Sequence, residues 1–238
     1  MRAAIAFRDA VAALGDYNVI ISDNIATRRP MADASGAVLA DVVFGFQPPE
    51  EQWWRNGQLA LQSPMARACR YEGQPFWANS DGFFTRHHNI YLDALSRSDF
   101  DFRSLFTAAI VVPVHLPFGQ IGMAAFGVAD RARRDLSAEF EANADQLMLL
   151  THPFITSYTH VTRRRQWLPT DCQLTKREVE CLRWAAVGKT DKEISIILSR
   201  SHATVRFHIQ NAGAKLDAVN RSQTVFKAAQ LGFIGLAN

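Results

Sequence analysis

The chain has 238 residues, 48% of them hydrophobic and 21% charged, with a formal net charge of +3. Values this near the globular average exclude a wholly disordered chain, a collagen and a coiled-coil rod, and the length leaves room for two domains of roughly 100–200 residues each. No run approaches the roughly 18–20 uninterrupted apolar residues of a membrane span, which argues against an integral membrane protein.

The first nine residues begin like a signal peptide, but charge returns at Arg8 and Asp9 before an apolar region can form. Residues 2–14, with Ile5, Val11 and Leu14 on one side, therefore predict an amphipathic helix of a cytoplasmic protein. Residues 37–46 are short, apolar and β-branched, which predicts a strand ended by Pro48 and Pro49. Residues 50–61, 64–70 and 83–96 predict helices. Residues 108–115 and 119–128 predict two apolar strands, with turn chemistry from Leu116 to Gly119 between them. Ser137 is expected to open a long helix to about Tyr158, although Glu139 stands one place short of the capping-box spacing. Strands with helices before and after them predict an α+β fold, a mostly antiparallel sheet flanked by helices.

Three consecutive arginines, 163–165, and then Pro169 interrupt any apolar period. They divide the chain into a sensor-like domain over 1–162, a linker over 163–173 and a C-terminal module over 174–238. The charge follows this division. Residues 1–159 hold 13 Lys+Arg against 17 Asp+Glu, and residues 160–238 hold 13 against 6. Thirteen of the 16 phenylalanines precede the linker and all five lysines follow it. An acidic, aromatic-rich body joined to a short basic module points to a sensor joined to a nucleic-acid binder. Cys69, Cys172 and Cys181 are odd in number with no Cys-x-x-Cys spacing, so neither a disulfide framework nor a structural zinc site is expected.

The C-terminal module reads as four capped helices. Thr175 and Glu178 form one capping box, and Thr190 and Glu193 a second. The first helix turns Val179, Leu182 and Ala186 inward and stops at Gly188. The second turns Ile194, Ile197 and Leu198 inward. Ser201 caps a third helix whose apolar stripe is Val205, Ile209 (or His208), Ala212 and Leu216. Asn220 opens a fourth, with Val225, Ala228 and Ala229 inward and Gly232 at its end. Helices two and three, joined by a few residues, form a helix-turn-helix pattern that would lay the third helix in a DNA major groove. His202, Ala203, Arg206, Phe207 and Gln210 fall away from its buried stripe. Arg206 and Gln210 suit bidentate bonds to guanine and adenine. Lys192, Thr204, Lys215 and Arg221 suit phosphate, which positions without reading sequence.

These segments, Leu174 to Glu178, Gly188 to Ile194, Thr204 to His208, Lys215-Leu216 and Asn220 to Gln223, resemble the LuxR-type DNA-binding domain throughout residues 174–234. The whole arrangement resembles the quorum-sensing regulators of that family. Pro75-Phe76-Trp77 and the hairpin from Val112 to Gly122 are similar to segments of their signal-binding domain. The resemblance implies an α-β-α sandwich that binds an acyl-homoserine lactone or a related small apolar or aromatic signal. It implies a homodimer on a palindromic operator in double-stranded DNA, and contacts to the signal from Trp54, Ser63, Trp77, Val111 and Ala125.

The pocket departs from the family pattern. Ser63-Pro64 stands where the family has Asp-Pro, Trp54 where it has tyrosine, and Glu50, or Trp53 across a gap, where it has tryptophan. Ala125 replaces a serine or threonine. A hydrogen bond to an ionised group contributes about 1.5–3 kcal/mol and a neutral one about 1 kcal/mol. The change from aspartate to Ser63 therefore costs roughly tenfold in affinity for an acyl-homoserine lactone. The alternative is a ligand-independent regulator with a filled pocket. Catalysis has no motif to rest on: His87, His88 and His115 belong to no metalloprotease pattern. Gly188-Lys189-Thr190 lacks the glycine a phosphate-binding loop needs, since Arg183 occupies that place.

Overall fold

The computed structural model describes residues 1–27, 29–45, 63–95, 106–128, 130, 132–162 and 171–235. The chain divides into two units, Met1–Leu116 with Gln120–Thr162, and Pro117–Gly119 with Arg163–Asn238.

The first unit is built on five strands: β1 (Tyr17–Ser22), β2 (Phe76–Asn79), β3 (Gly82–Phe84), β4 (Ala108–His115) and β5 (Ile121–Val128). They run in the order β1-β5-β4-β2-β3, and every neighbouring pair is antiparallel. Seven of the eight residues of β4 are buried, because both faces of the sheet are covered. That explains a continuous apolar run where a one-sided sheet would alternate. One face, bearing Trp77, Ile110, Val112 and Phe126, packs on α1 (Arg2–Ala12) and on α4 (Ser137–Thr162), which brings Phe140, Ala144, Leu147 and Ile155 to the core. The other face, bearing Phe76, Ala109, Val111, Met123 and Ala125, packs on α2 (Pro64–Ala68) and α3 (Ile90–Asp93). The result is a mixed α+β domain with helices on both sides of an antiparallel sheet.

The β4–β5 hairpin turns at Pro117–Gly119, where Phe118 (φ 68°) and Gly119 (φ 72°) take left-handed conformations. In β4, Pro113 faces Met123 of β5, and its carbonyl accepts a bond from His152 Nε2 at 3.1 Å. Among the described residues β2 stops pairing with β4 at Val111, so Pro113 lies beyond that partner.

Several expectations fail for identifiable reasons. Residues 37–46 are not a strand. Val38 forms a single bridge to Ala32, and Ala40–Phe44 wind into a π-helical turn closed by Gly45 N–H to Ala40 O at 2.8 Å. Leu39 and Val43, four apart, supply its buried side. Residues 83–96 are not one helix. Asn79 Oδ1 accepts from the N–H groups of Asp81 and Gly82 and turns β2 into β3, and only the short α3 follows, capped by Asn89. Neither β1 nor β2 was expected. The expected helix 50–61 and the linker arginines lie outside the described residues. Asp135, not Ser137, supplies the side-chain acceptor at the start of α4, taking the Ser137 N–H at 2.8 Å.

The second unit holds α5 (Lys176–Ala186), α6 (Asp191–Ile197), α7 (His202–Lys215) and α8 (Arg221–Gln230). Both capping boxes form as read, and Ser201 and Asn220 cap α7 and α8. Gly188 and Gly232 end their helices with positive φ. The α7 stripe of Val205, Ile209, Ala212 and Leu216 is buried, as its spacing predicts. Ala186, Ile197 and Ala229 face outward instead. Leu198, just after α6, packs inward as expected, and Cys181 on α5 and Thr224 and Lys227 on α8 are buried as well.

Candidate nucleic-acid interface and ligand pocket

The α7 helix starts where Ser201 Oγ accepts the Thr204 N–H at 3.0 Å. Its apolar stripe is pinned by Cys181 and Ile194 at one end and by Leu182 and Ala228 at the other. The opposite face is therefore fixed in direction. It carries His202, Ala203, Arg206, Phe207 and Gln210, all exposed, with Phe207 at 58% and edge-on to His208. Arg206 and Gln210 are one turn apart, so a guanidinium and an amide project side by side.

The four cations and hydroxyls assigned to phosphate separate into two pairs. Lys192 is exposed on α6, and Thr204 Oγ1 lies 2.8 Å from Ser201 Oγ at the α7 N-terminus. Lys215 and Arg221 remain partly exposed and also have partners within the unit. Lys215 Nζ donates to Glu178 Oε2 at 2.8 Å, and Arg221 pairs with Asp191 and donates to Lys189 O at 2.6 Å. Burial pushes the Glu178 carboxyl up, but the bonds from Lys215 and Thr175 outweigh it and hold the group below its ordinary value.

A cleft of about 320 Å³ opens beside the start of α7, lined by Arg177, Cys181, Leu198, Arg200, Thr204, Val205 and His208. Arg177 and Arg200 were not singled out from the sequence, because neither lies on the apolar period that identified α7. Burial pushes the Cys181 thiol up, so this cysteine is a packed neutral group rather than a nucleophile. All three cysteines are free thiols.

In the first unit the expected ligand residues do not share one surface. Val111 and Ala125 face each other across β4 and β5, on the side covered by α2. Ser63 caps that helix, its Oγ accepting the Ala66 N–H at 3.4 Å. Trp77 points to the opposite face, stacked on Phe84 with ring centroids 4.0 Å apart. Strand parity causes this: Phe76 pairs with Val111 and takes the α2 side, so the next residue must take the other. Trp54 lies outside the described residues. The hairpin histidine has a structural role, His115 Nε2 donating to Cys69 O at 2.9 Å just beyond α2.

Among the described residues no helix is long and apolar enough to cross a membrane, and no group of three or more His, Cys, Asp or Glu is placed to hold a metal.

The capped helix pair and the polar face of α7 define a helix-turn-helix DNA-binding domain. Residues 172–228 match the family described as bacterial regulatory proteins, luxR family. The chain is 38% identical over 129 residues to the transcriptional activator protein VanR of Vibrio anguillarum, covering 53% of this chain and 52% of the relative. It is 55% identical over 64 residues to the quorum sensing-dependent transcriptional regulator RpaR of Rhodopseudomonas palustris, covering 27% and 26%. The chain thus spans about half the length of the first of these relatives, and less of the second. A solved structure of Escherichia coli SdiA is 25% identical, covering 77% of this chain and 72% of that one, with a TM-score of 0.41. VanR and RpaR are named as regulators of transcription.

Proposed function

We propose that the chain is a ligand-responsive transcriptional regulator of the quorum-sensing type, acting in the cytoplasm as a homodimer on a palindromic operator. The observation that carries this reading is the α7 face: a helix fixed by a buried stripe, with Arg206 and Gln210 projecting from its outer side. Residues 1–162 serve as the sensor and 174–238 as the reader, joined over 163–173. His202, Ala203, Arg206, Phe207 and Gln210 approach base edges, and Lys192 and Thr204 approach phosphate.

The signal is an acyl-homoserine lactone or a related small apolar or aromatic molecule held on the α2 side of the sheet. Ser63, Val111 and Ala125 line that side, and Trp54 joins them by its place in the sequence pattern. Trp77, on the other face, acts on the signal only through the sheet. With Ser63 neutral and already spent on a cap, the headgroup bond is weak, which supports a signal other than the common lactones. The same observation supports the second reading, a regulator that needs no ligand.

The test is a thermal melt of the purified chain, alone and with saturating acyl-homoserine lactones of varied chain length and their aryl-acyl analogues. A ligand that binds the folded state raises the midpoint by mass action. A rise with one class identifies the signal. A cooperative melt unmoved by every compound overturns the lactone reading and leaves an unrelated ligand or the ligand-independent regulator.

A further inference from the structure

The two helices of the reading motif are joined only by Leu198 to Ser201, with Ser199 in the left-handed region at φ 51°. A turn this short fixes the near ends of α6 and α7. Their far ends, the first turn of α6 and the last turn of α7, need other partners: Lys215 ties the last turn of α7 to Glu178 of α5, and α8 reaches both ends.

Arg221, the first residue of α8, reaches the leading end of α6. Its guanidinium pairs with the Asp191 carboxylate and donates to Lys189 O at 2.6 Å. Lys227, farther along the same helix, reaches the trailing end of α7. Its ammonium donates to Leu216 O at 3.1 Å and to Asp217 O. Asp217 is left-handed at φ 50° and ends α7: the N–H groups of Asp217 and Ala218 close on Ala214 O and Gly213 O, and the carbonyls just past the helix, Leu216 and Asp217, meet Lys227. A helix C-terminus carries partial negative charge and favours a cation. Lys227 is only 4% exposed. A charge this buried must be hydrogen-bonded, and the two carbonyls accept from it. Between the two grips the Thr224 side chain of α8 lies close over the α7 backbone: a β-carbon on Gly213 would lie 3.1 Å from Thr224 Oγ1.

We propose that α8 is a brace that sets the direction of the recognition helix, with Lys227 and Arg221 as its two positioning residues. Neither cation contacts DNA. Both act by holding the far ends of α6 and α7, so that Arg206 and Gln210 meet base edges at the right angle. The assignment rests on the DNA-reading function proposed above.

The experiment uses the full chain and two probes: a duplex enriched by the wild-type chain from a randomised library, and an unrelated duplex of the same length. Affinities and salt slopes are measured for wild type, Lys227→Met, Lys227→Arg, Arg221→Gln and Lys192→Ala, at a temperature where circular dichroism shows each folded. Lys227→Met keeps the aliphatic stem and removes the ammonium. Loss of correct base contact costs about tenfold or more on the enriched duplex. The brace therefore predicts that loss for Lys227→Met and Arg221→Gln, with unrelated-duplex affinity and salt slope as in wild type, and recovery in Lys227→Arg. Removing a true phosphate contact lowers the slope by about 1, the result expected of Lys192→Ala alone.

Wild-type affinity for the enriched duplex in folded Lys227→Met and Arg221→Gln overturns the brace. A slope lowered in Arg221→Gln makes Arg221 a phosphate contact and also overturns it. Should Lys227→Met not fold, Arg221→Gln decides by the same two readings. If the wild-type chain enriches no sequence, the DNA-reading function falls, and the brace with it.

Discussion

Lys215 on α7 and Glu178 on α5 are joined by a 2.8 Å bond, and the same Glu178 oxygen accepts the Thr175 N–H at 2.7 Å. One carboxylate oxygen thus closes the capping box of α5 and ties that helix to the recognition helix. Glu178 has a side-chain exposure of 3%, while Lys215 stays 39% exposed. Removing the lysine leaves a buried acceptor under-satisfied, whereas removing the acid frees a lysine into solvent.

Lys215→Met should therefore destabilise the second unit by about 1.5–3 kcal/mol, the range for hydrogen bonds to charged groups. Hydrogen exchange at the α5 and α7 amides of the full chain measures it. Unchanged protection would show that the bond contributes nothing. The pH dependence follows from the lowered Glu178 value. A depressed carboxyl contributes stability that is present above its unfolded value of about 4.3 and is lost as pH falls through its folded value. Glu178→Gln should remove this part of the acid sensitivity of α5 and α7.

Phe106 lies against Gly127 of β5, and a β-carbon there would fall 2.1 Å from its ring. Gly127→Ala overfills that site and should cost about 1–3 kcal/mol. The double variant Gly127→Ala with Phe106→Leu should regain part of the loss in a thermal melt. No recovery would mean that the glycine is needed for its backbone, not for the ring.

How much of this was legible in the sequence depends on what each signal measures. The caps at Thr175, Thr190, Ser201 and Asn220 were readable because capping is a local bond over three residues. The α7 stripe was readable because its four positions keep one helical face. Ala186, Ile197 and Ala229 were misplaced because each lies near the end of its helix, where period alone cannot say whether a partner packs there. The Ala40–Phe44 turn was taken for a strand because a short β-branched run has no period to distinguish it. Trp77 was grouped with Val111 because the Pro-Phe-Trp pattern says nothing of strand parity, which only the pairing of Phe76 with Val111 fixes. The partners of Lys215 and Arg221 and the burial of Lys227 are tertiary, and basic composition cannot separate a lysine that meets a carbonyl from one that meets a phosphate.

Ser63 offers a direct test of the pocket. Ser63→Ala removes the α2 cap and should cost about 0.5–2 kcal/mol. Ser63→Asp keeps a cap oxygen and adds charge, so it should raise acyl-homoserine lactone affinity roughly tenfold, the gap between neutral and charge-assisted bonds. Titration of both variants by isothermal calorimetry reads this out. Equal affinity in wild type and Ser63→Asp would exclude position 63 from the headgroup site.

On the DNA side, Arg206→Ala and Gln210→Ala should each lose about 1–3 kcal/mol on an enriched duplex and relax preference at one base pair. Selection from a randomised library with each variant identifies the base pair. A uniform loss over all sequences would make the residue a backbone contact instead.

Pro113 carries a consequence for how the first unit behaves in a crowded solution. Past Val111, β4 has no β2 partner among the described residues, although it stays buried as far as Val114. At Pro113 the nitrogen has no hydrogen to give, and the carbonyl is already occupied by His152. A further strand would find neither donor nor vacant acceptor at Pro113, so the ladder from β2 cannot be continued past it by any other chain.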